Sequence, residues 1–213
     1  MTKTYVLFTE AGKEQYLAEL LTNTIVHQYP ESARRIYVPT KATLTKSAQT
    51  GQKWIEEKTI QFPNYVFVES SEIEIFSTHL HAPGFETSYY LLGKGSSRMP
   101  KGKGKLKASA KGVLDKSILP VSDTDMERLR RFLNSDDYMT ISRGIKENGK
   151  VRFISGPLVG HEADVVRIER HKRRAIVQMQ FLGEMRNIEV AVDIITGTVD
   201  TADKVATTDT PAS

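Results

Sequence analysis

Arg167, Arg170, His171, Lys172, Arg173 and Arg174 stand within the eight-residue stretch RIERHKRR, after which the chain turns apolar at Ala175, Ile176 and Val177. A guanidinium bridges phosphates and stacks on bases, so this stretch is equipped to hold RNA. A solvated hairpin turn accounts for the same residues, because charge runs are most often exposed faces. A second basic run lies between Lys94 and Lys116, where eight Lys/Arg meet one acid, Asp115. Its repeat KGKGKLKASAKG looks superficially like a phosphate-binding loop, yet the G-x-x-x-x-G-K-[ST] spacing is absent. It reads either as a flexible insertion kept soluble by lysine or as an arm that tracks a DNA or RNA backbone.

Other chemistry finds few residues to carry it. The chain has no cysteine, which excludes disulfides, thiolate metal sites and a cysteine nucleophile. His79 and His81 are spaced i, i+2, which puts them on different faces of a helix, and no third ligand stands at metal spacing. The five histidines fit no triad spacing, and no pair of carboxylates sits on a recognisable scaffold. We therefore expect no catalytic residue, no metal and no cofactor.

The 213 residues suffice for two small domains, and 39% hydrophobic content is enough to build real cores. No run of about 18 apolar residues occurs, and the N-terminus lacks the apolar core and cleavage site of a signal peptide. A cytoplasmic, monomeric protein without a membrane partner is the expectation. A net charge of +4 and a pI near 9.1 favour an anionic partner.

The elements that must position these residues follow from periodicity. KTYVLFTE reads as a first strand. GKEQYLAELLTNTIVHQYP reads as an amphipathic helix with Tyr16, Leu20 and Thr24 beside Leu17, Leu21 and Ile25, closed by Pro30. RRIYVPTKATLTK and QFPNYVFVES read as strands, with SAQTGQKWIEEKTI as an irregular or hairpin connection. Ser71 and Glu74 form a capping-box pattern before a helix with Ile73, Phe76 and Leu80 on one face. FETSYYLLG supplies a further strand, and Ser122 caps a helix that buries Met126, Leu129 and Leu133.

Beyond Ser135 the period changes from helical to alternating: Val151 and Phe153; Val166 and Ile168; Ala175, Val177, Met179 and Phe181; Ile188, Val190 and Val192. About 50 residues cannot fill two sheets, so a small closed barrel is the economical solution. The organisation expected is α+β: an α/β sandwich over 1–136 with the basic loop 94–116, a linker over 137–149, an SH3-like β-barrel over 150–197 and a disordered tail over 198–213.

The stretch from Gly149 to Ile195 resembles a KOW module, and QFPNYVFVE preceded by TYVLFTEAGK resembles the N-terminal (NGN) domain of the NusG transcription elongation factors. FPNY and RHKRRA are closest to the antitermination paralogues of the RfaH and LoaP types. That resemblance implies docking on the clamp helices of the largest RNA polymerase subunit through an exposed patch. Here the matching positions are Phe8, Phe62, Pro63, Tyr65 and Phe67. It also implies contact of Ser77, Thr78 and His79 with the gate loop of the second subunit. The KOW barrel would recruit nascent RNA structure, such as a hairpin, or a ribosomal protein, with non-template DNA as a further contact. A ribosome-associated KOW RNA-binding protein is the alternative, although it leaves QFPNYVFVE without a role. Most KOW modules carry a glycine where this chain has Ala163, which requires that residue to sit at negative φ.

Overall fold

The computed structural model describes residues 1–47, 53–80, 89–91, 120–147 and 149–196. The basic loop 94–116 and the tail 198–213 lie outside the described residues.

The first half is a four-stranded antiparallel sheet in the order β2-β5-β1-β6, built from β1 (Lys3–Thr9), β2 (Arg35–Tyr37), β5 (Tyr65–Ser70) and β6 (Tyr89–Leu91). Alternation gives its two faces different partners. Tyr5, Leu7, Val66 and Val68 pack with Leu17, Leu21 and Ile25 and with Ile73, Phe76 and Leu80. The first of these triplets comes from α1 (Glu14–Leu21) and the turn after it, the second from α2 (Ile73–Leu80). Val6, Phe8, Tyr65 and Phe67 join the opposite core with Met126 and Leu129 of α3 (Asp123–Arg130). Ser122 caps α3 as expected, its hydroxyl accepting from the Asp125 N–H at 3.0 Å. At α2 the observed contact is one residue earlier than the expected capping box, with Ser70 Oγ accepting from the Glu72 N–H at 2.9 Å.

Two details depart from the sequence expectations, and a third decides between the two readings left open for SAQTGQKWIEEKTI. The first helix widens into a π-helical turn over Thr22–Val26, where Ile25 is buried, and Tyr16, earlier in the helix, is exposed. KWIEEKTI is a strand, β4 (Lys53–Ile60), pairing antiparallel with β3 (Thr40–Ser47) from Thr40↔Ile60 to Ser47↔Lys53. QFPN is a turn, so the strand expected from Gln61 begins at Tyr65.

The expected linker 137–149 also holds strands. Within it, β7 (Tyr138–Met139) pairs parallel with Thr40 and Lys41, and β8 (Ser142–Glu147) pairs parallel with Val192 to Thr196. The second half is a five-stranded sheet in the order β10-β11-β12-β8-β9, adding β9 (Lys150–Ser155), β10 (Val165–Glu169), β11 (Arg174–Phe181) and β12 (Glu184–Thr196). The hydrogen-bonded order starts at β10 and ends at β9. A short 3-10 turn, Glu162–Asp164, lies between those two strands in the chain, and Glu162 Oε1 accepts from the Phe153 N–H at 3.2 Å. Phe153, Leu158, Ala175, Val177, Ile188, Val190 and Val192 fill the interior. A bulge between Val165 and Arg167 resets the register. Val166, expected inside, is consequently 58% exposed. Ala163 lies in the 3-10 turn and is absent from the positive-φ residues, as its side chain requires.

Arg35 ties the first half together. Its guanidinium donates to Glu69 Oε1 at 3.0 Å and to Asp137 Oδ2 at 2.8 Å while lying 4.1 Å above the Tyr37 ring. Burial pushes the Glu69 carboxyl upward, but the Arg35 hydrogen bond and charge, aided by Arg130 and Arg34, hold it below the usual carboxylate range. Burial dominates at Asp137 and raises it. A depressed folded value means that Glu69 contributes stability above its unfolded value of about 4.3, lost as pH falls through the folded value. Asp137 has the opposite sign, because protonation relieves its burial. Glu69→Gln is therefore expected to flatten the acid limb of a denaturation midpoint against pH below about pH 5. An unchanged limb would assign acid sensitivity elsewhere.

Candidate functional site

The aromatic face begins at a turn. Phe62, Pro63, Asn64 and Tyr65 close with Tyr65 N–H donating to the Phe62 carbonyl at 3.2 Å, and Asn64 has φ 74°. Proline at the second position and a left-handed third residue fit a type II turn. Buried Glu14 holds it: Oε1 accepts from the Asn64 N–H at 2.6 Å and Oε2 from the Gly12 N–H at 2.7 Å. The Asn64 side chain donates to the Thr9 carbonyl at 2.9 Å. Asn64→Val is expected to cost about 2 kcal/mol, since a β-branched residue resists positive φ. Asn64→Gly should cost less, a ranking that denaturant midpoints can check.

This turn delivers Phe62 and Tyr65 to the same face as Phe8 and Phe67. Phe8 meets Tyr65 edge-on at 5.9 Å, and Phe62 lies 5.9 Å from Phe67. These residues were expected to form an exposed patch. Instead Phe8, Phe62, Tyr65 and Phe67 are buried, at 8%, 6%, 5% and 0% exposure, while Pro63 is exposed. The cover comes from the second half. The Phe181 ring stacks on Phe62 at 4.9 Å and lies 6.1 Å from Phe67, with Met179 in the same cluster. Alternation brings about this arrangement: one face of the sheet is closed by α1 and α2, and the other by α3 together with the second half.

Two polar contacts hold that lid. The Leu182 N–H donates to Asp125 Oδ2 at 3.1 Å, joining the β11–β12 turn to α3. Arg186 donates to the Tyr65 hydroxyl at 3.2 Å with its guanidinium 5.3 Å from the ring centre, and its Nε is buried without a hydrogen-bond partner. Sequence reasoning placed Phe181 in the barrel interior and passed over Arg186. Both sit at the sheet's end, where parity cannot tell an inner core from a neighbouring one.

Ser77, Thr78 and His79 diverge along α2. Ser77 is fully buried, Thr78 is exposed and donates to the Glu74 carbonyl at 2.9 Å, and His79 stacks on Tyr29 at 3.8 Å. His81 lies outside the described residues. No three His, Asp or Glu side chains come together as a metal site among the described residues.

The basic stretch forms a tight turn. Arg170–Lys172 make one 3-10 turn, and Arg173 takes a left-handed conformation at φ 47°, ψ 47°. Register therefore breaks before β11, and Ala175 and Val177 point into the core independently of Arg173. Much of the charge is neutralised locally. Glu169 meets Arg167 at 2.6 Å, Arg174 at 2.7 Å and Lys172 at 3.6 Å, while Arg173 meets Asp193 at 3.1 Å. The hydrogen bond from Arg174, then the neighbouring charges, lowers the Glu169 carboxyl below its ordinary value. Among the described residues, Arg170 and His171 are the members of the cluster left exposed without an ion pair.

The turn also reaches the first half. The Arg173 guanidinium lies 5.1 Å from the Trp54 ring centre, and Glu189 joins Arg174 to Lys41, the latter at 3.2 Å. A cleft of about 170 Å³ runs between this turn and β3.

Among the described residues no helix is long and apolar enough to cross a membrane. No protein-family model matches the chain, and no curated protein matches it. Among solved structures the chain is similar to one described as "Domain interaction in Thermotoga maritima NusG", with 19% identity, a TM-score of 0.43, and coverage of 90% of this chain and 93% of that one.

Proposed function

We propose that this chain is a non-enzymatic transcription elongation factor of the NusG type, acting in the manner of the LoaP and RfaH antitermination paralogues. Its first half docks on the clamp helices of RNA polymerase through Phe8, Phe62, Pro63, Tyr65 and Phe67, and Thr78 and His79 face the gate loop. The observation that carries this reading is the aromatic sheet face closed by Phe181 from a different sheet. Clustered aromatics are the usual anchors of protein interfaces, and a lid held by one ring and a few polar contacts can be exchanged for a partner. Bridging clamp and gate then favours the pause-resistant polymerase by differential affinity for that state. The second half, a KOW barrel in this reading, recruits a nascent RNA hairpin through Arg170, His171 and the surrounding cations.

Transcription in vitro across a terminator tests this function. Read-through should rise with added protein and rise further with an RNA hairpin in the leader. Arg170→Ala with His171→Ala should remove the hairpin's contribution and keep the basal effect. Unchanged termination at saturating protein would reject the reading.

A further inference from the structure

Trp54 is the single tryptophan of the chain, and it lies half-buried on a strand whose neighbours Lys53, Glu56, Glu57 and Lys58 are exposed. It contributes to neither main hydrophobic cluster. Its ring is flanked by two cations: Lys46 Nζ, its cross-strand partner, at 5.3 Å, and the Arg173 guanidinium at 5.1 Å. Lys46, Lys53 and Lys172 are exposed nearby in sequence or register. The adjacent cleft is lined by Lys41, Lys172, Arg173 and Arg174 and by one acid, Glu189, which pairs with Lys41 and Arg174. Among the described residues, β7 pairs with β3 only at Thr40 and Lys41.

We propose that this seam binds single-stranded nucleic acid, with one base stacked on the Trp54 indole in place of a flanking cation and the adjoining phosphates on Lys46, Lys53 and Lys172. An aromatic platform beside a track of cations is the general chemistry of single-strand binding, because every base offers a π-face and every linkage a charge. Base stacking is worth more than an exposed cation–π contact, so the base displaces the cation, which then turns to the phosphate. A duplex, whose bases are already stacked on one another, offers no free face to the indole. The inference rests in part on the reading that the basic turn contacts nucleic acid, and extends it to a different ligand form and to residues of the first half.

The test titrates the full-length chain with a twelve-nucleotide oligo(U) and, separately, oligo(dT), following Trp54 fluorescence. Both should quench it to saturation if stacking and phosphate contacts suffice, and oligo(U) alone if the ribose hydroxyl is also held. In a filter-retention assay Trp54→Ala should weaken binding about tenfold while Trp54→Phe stays close to the parent. Lys46→Ala with Lys53→Ala should reduce the salt dependence. Unquenched fluorescence at saturating oligonucleotide, or equal affinity in Trp54→Ala, overturns the proposal. A hairpin RNA that binds through Arg170 and His171 without moving Trp54 would leave the recruitment reading standing and remove this site. Quenching by the single strands with no hairpin binding would do the reverse.

Discussion

Phe181→Ala is expected to release the second half from the aromatic face and to raise affinity for RNA polymerase. The ring is fully buried and stacked on Phe62, so its removal deletes the centre of the contact between the halves. Truncating a buried phenylalanine costs about 3–5 kcal/mol, more than the neighbouring hydrogen bonds of Arg186 and Leu182 supply at about 1 kcal/mol each, while the Lys41–Glu189 pair and the Arg173–Trp54 contact still tie the halves further along the seam. The loss falls on the seam, because the interior of the second-half sheet keeps Val177, Ile188, Val190 and Val192. Small-angle scattering should report a larger radius, and polymerase pull-down a stronger signal, with backbone NMR dispersion retained. Adding Phe62→Ala should abolish the gain. A variant that opens without binding more polymerase would remove docking from this face.

Gly156→Ala is expected to be the most damaging single-methyl addition in the second half. Gly156 has φ +86°, and a Cβ there would stand 2.4 Å from the Ile141 carbonyl oxygen and 2.6 Å from the Ser142 Cα. Left-handed strain costs about 1–2 kcal/mol, and a backbone clash on that side cannot be relieved by a rotamer change, so the total reaches about 3 kcal/mol or more. Gly160→Ala is the matched control, since Gly160 has φ +76° with nothing within 4 Å of its Cβ position. It should lose only the conformational part, about 1 kcal/mol. Equal denaturant midpoints for the two variants would show that the close approach at Ile141 relaxes freely.

Periodicity made the sheet faces legible. Ala175 and Val177 alternate into the interior of the second-half sheet as their spacing requires, while the same parity carries Phe181 onto the aromatic face of the first half. It failed where a residue's neighbour lay in another part of the chain. The FPNY turn carries its aromatics to a face whose partner is more than 110 residues away, and no local pattern records that distance. For SAQTGQKWIEEKTI the sequence leaves an irregular and a hairpin connection open, because Glu56, Glu57 and Lys58 break the apolar alternation of its strand; the structure has β3 and β4 paired antiparallel. The basic turn was legible as a turn, but its internal neutralisation by Glu169 was not, because three cations converging on one carboxylate is a property of the bend.

The parallel pairing of β8 with the end of β12 sets a schedule for the newborn chain. Val192 to Thr196 must leave the ribosome before Ser142 to Lys146 can find their ladder partner. The helices and strands around Phe62 and Tyr65 are complete once Arg130 has emerged, about 50 residues before Phe181 follows. At about 5–20 residues per second, the aromatic sheet face stands open for a few to about ten seconds in every round of synthesis. Each molecule thus passes once through an uncovered state while still tethered to its own ribosome.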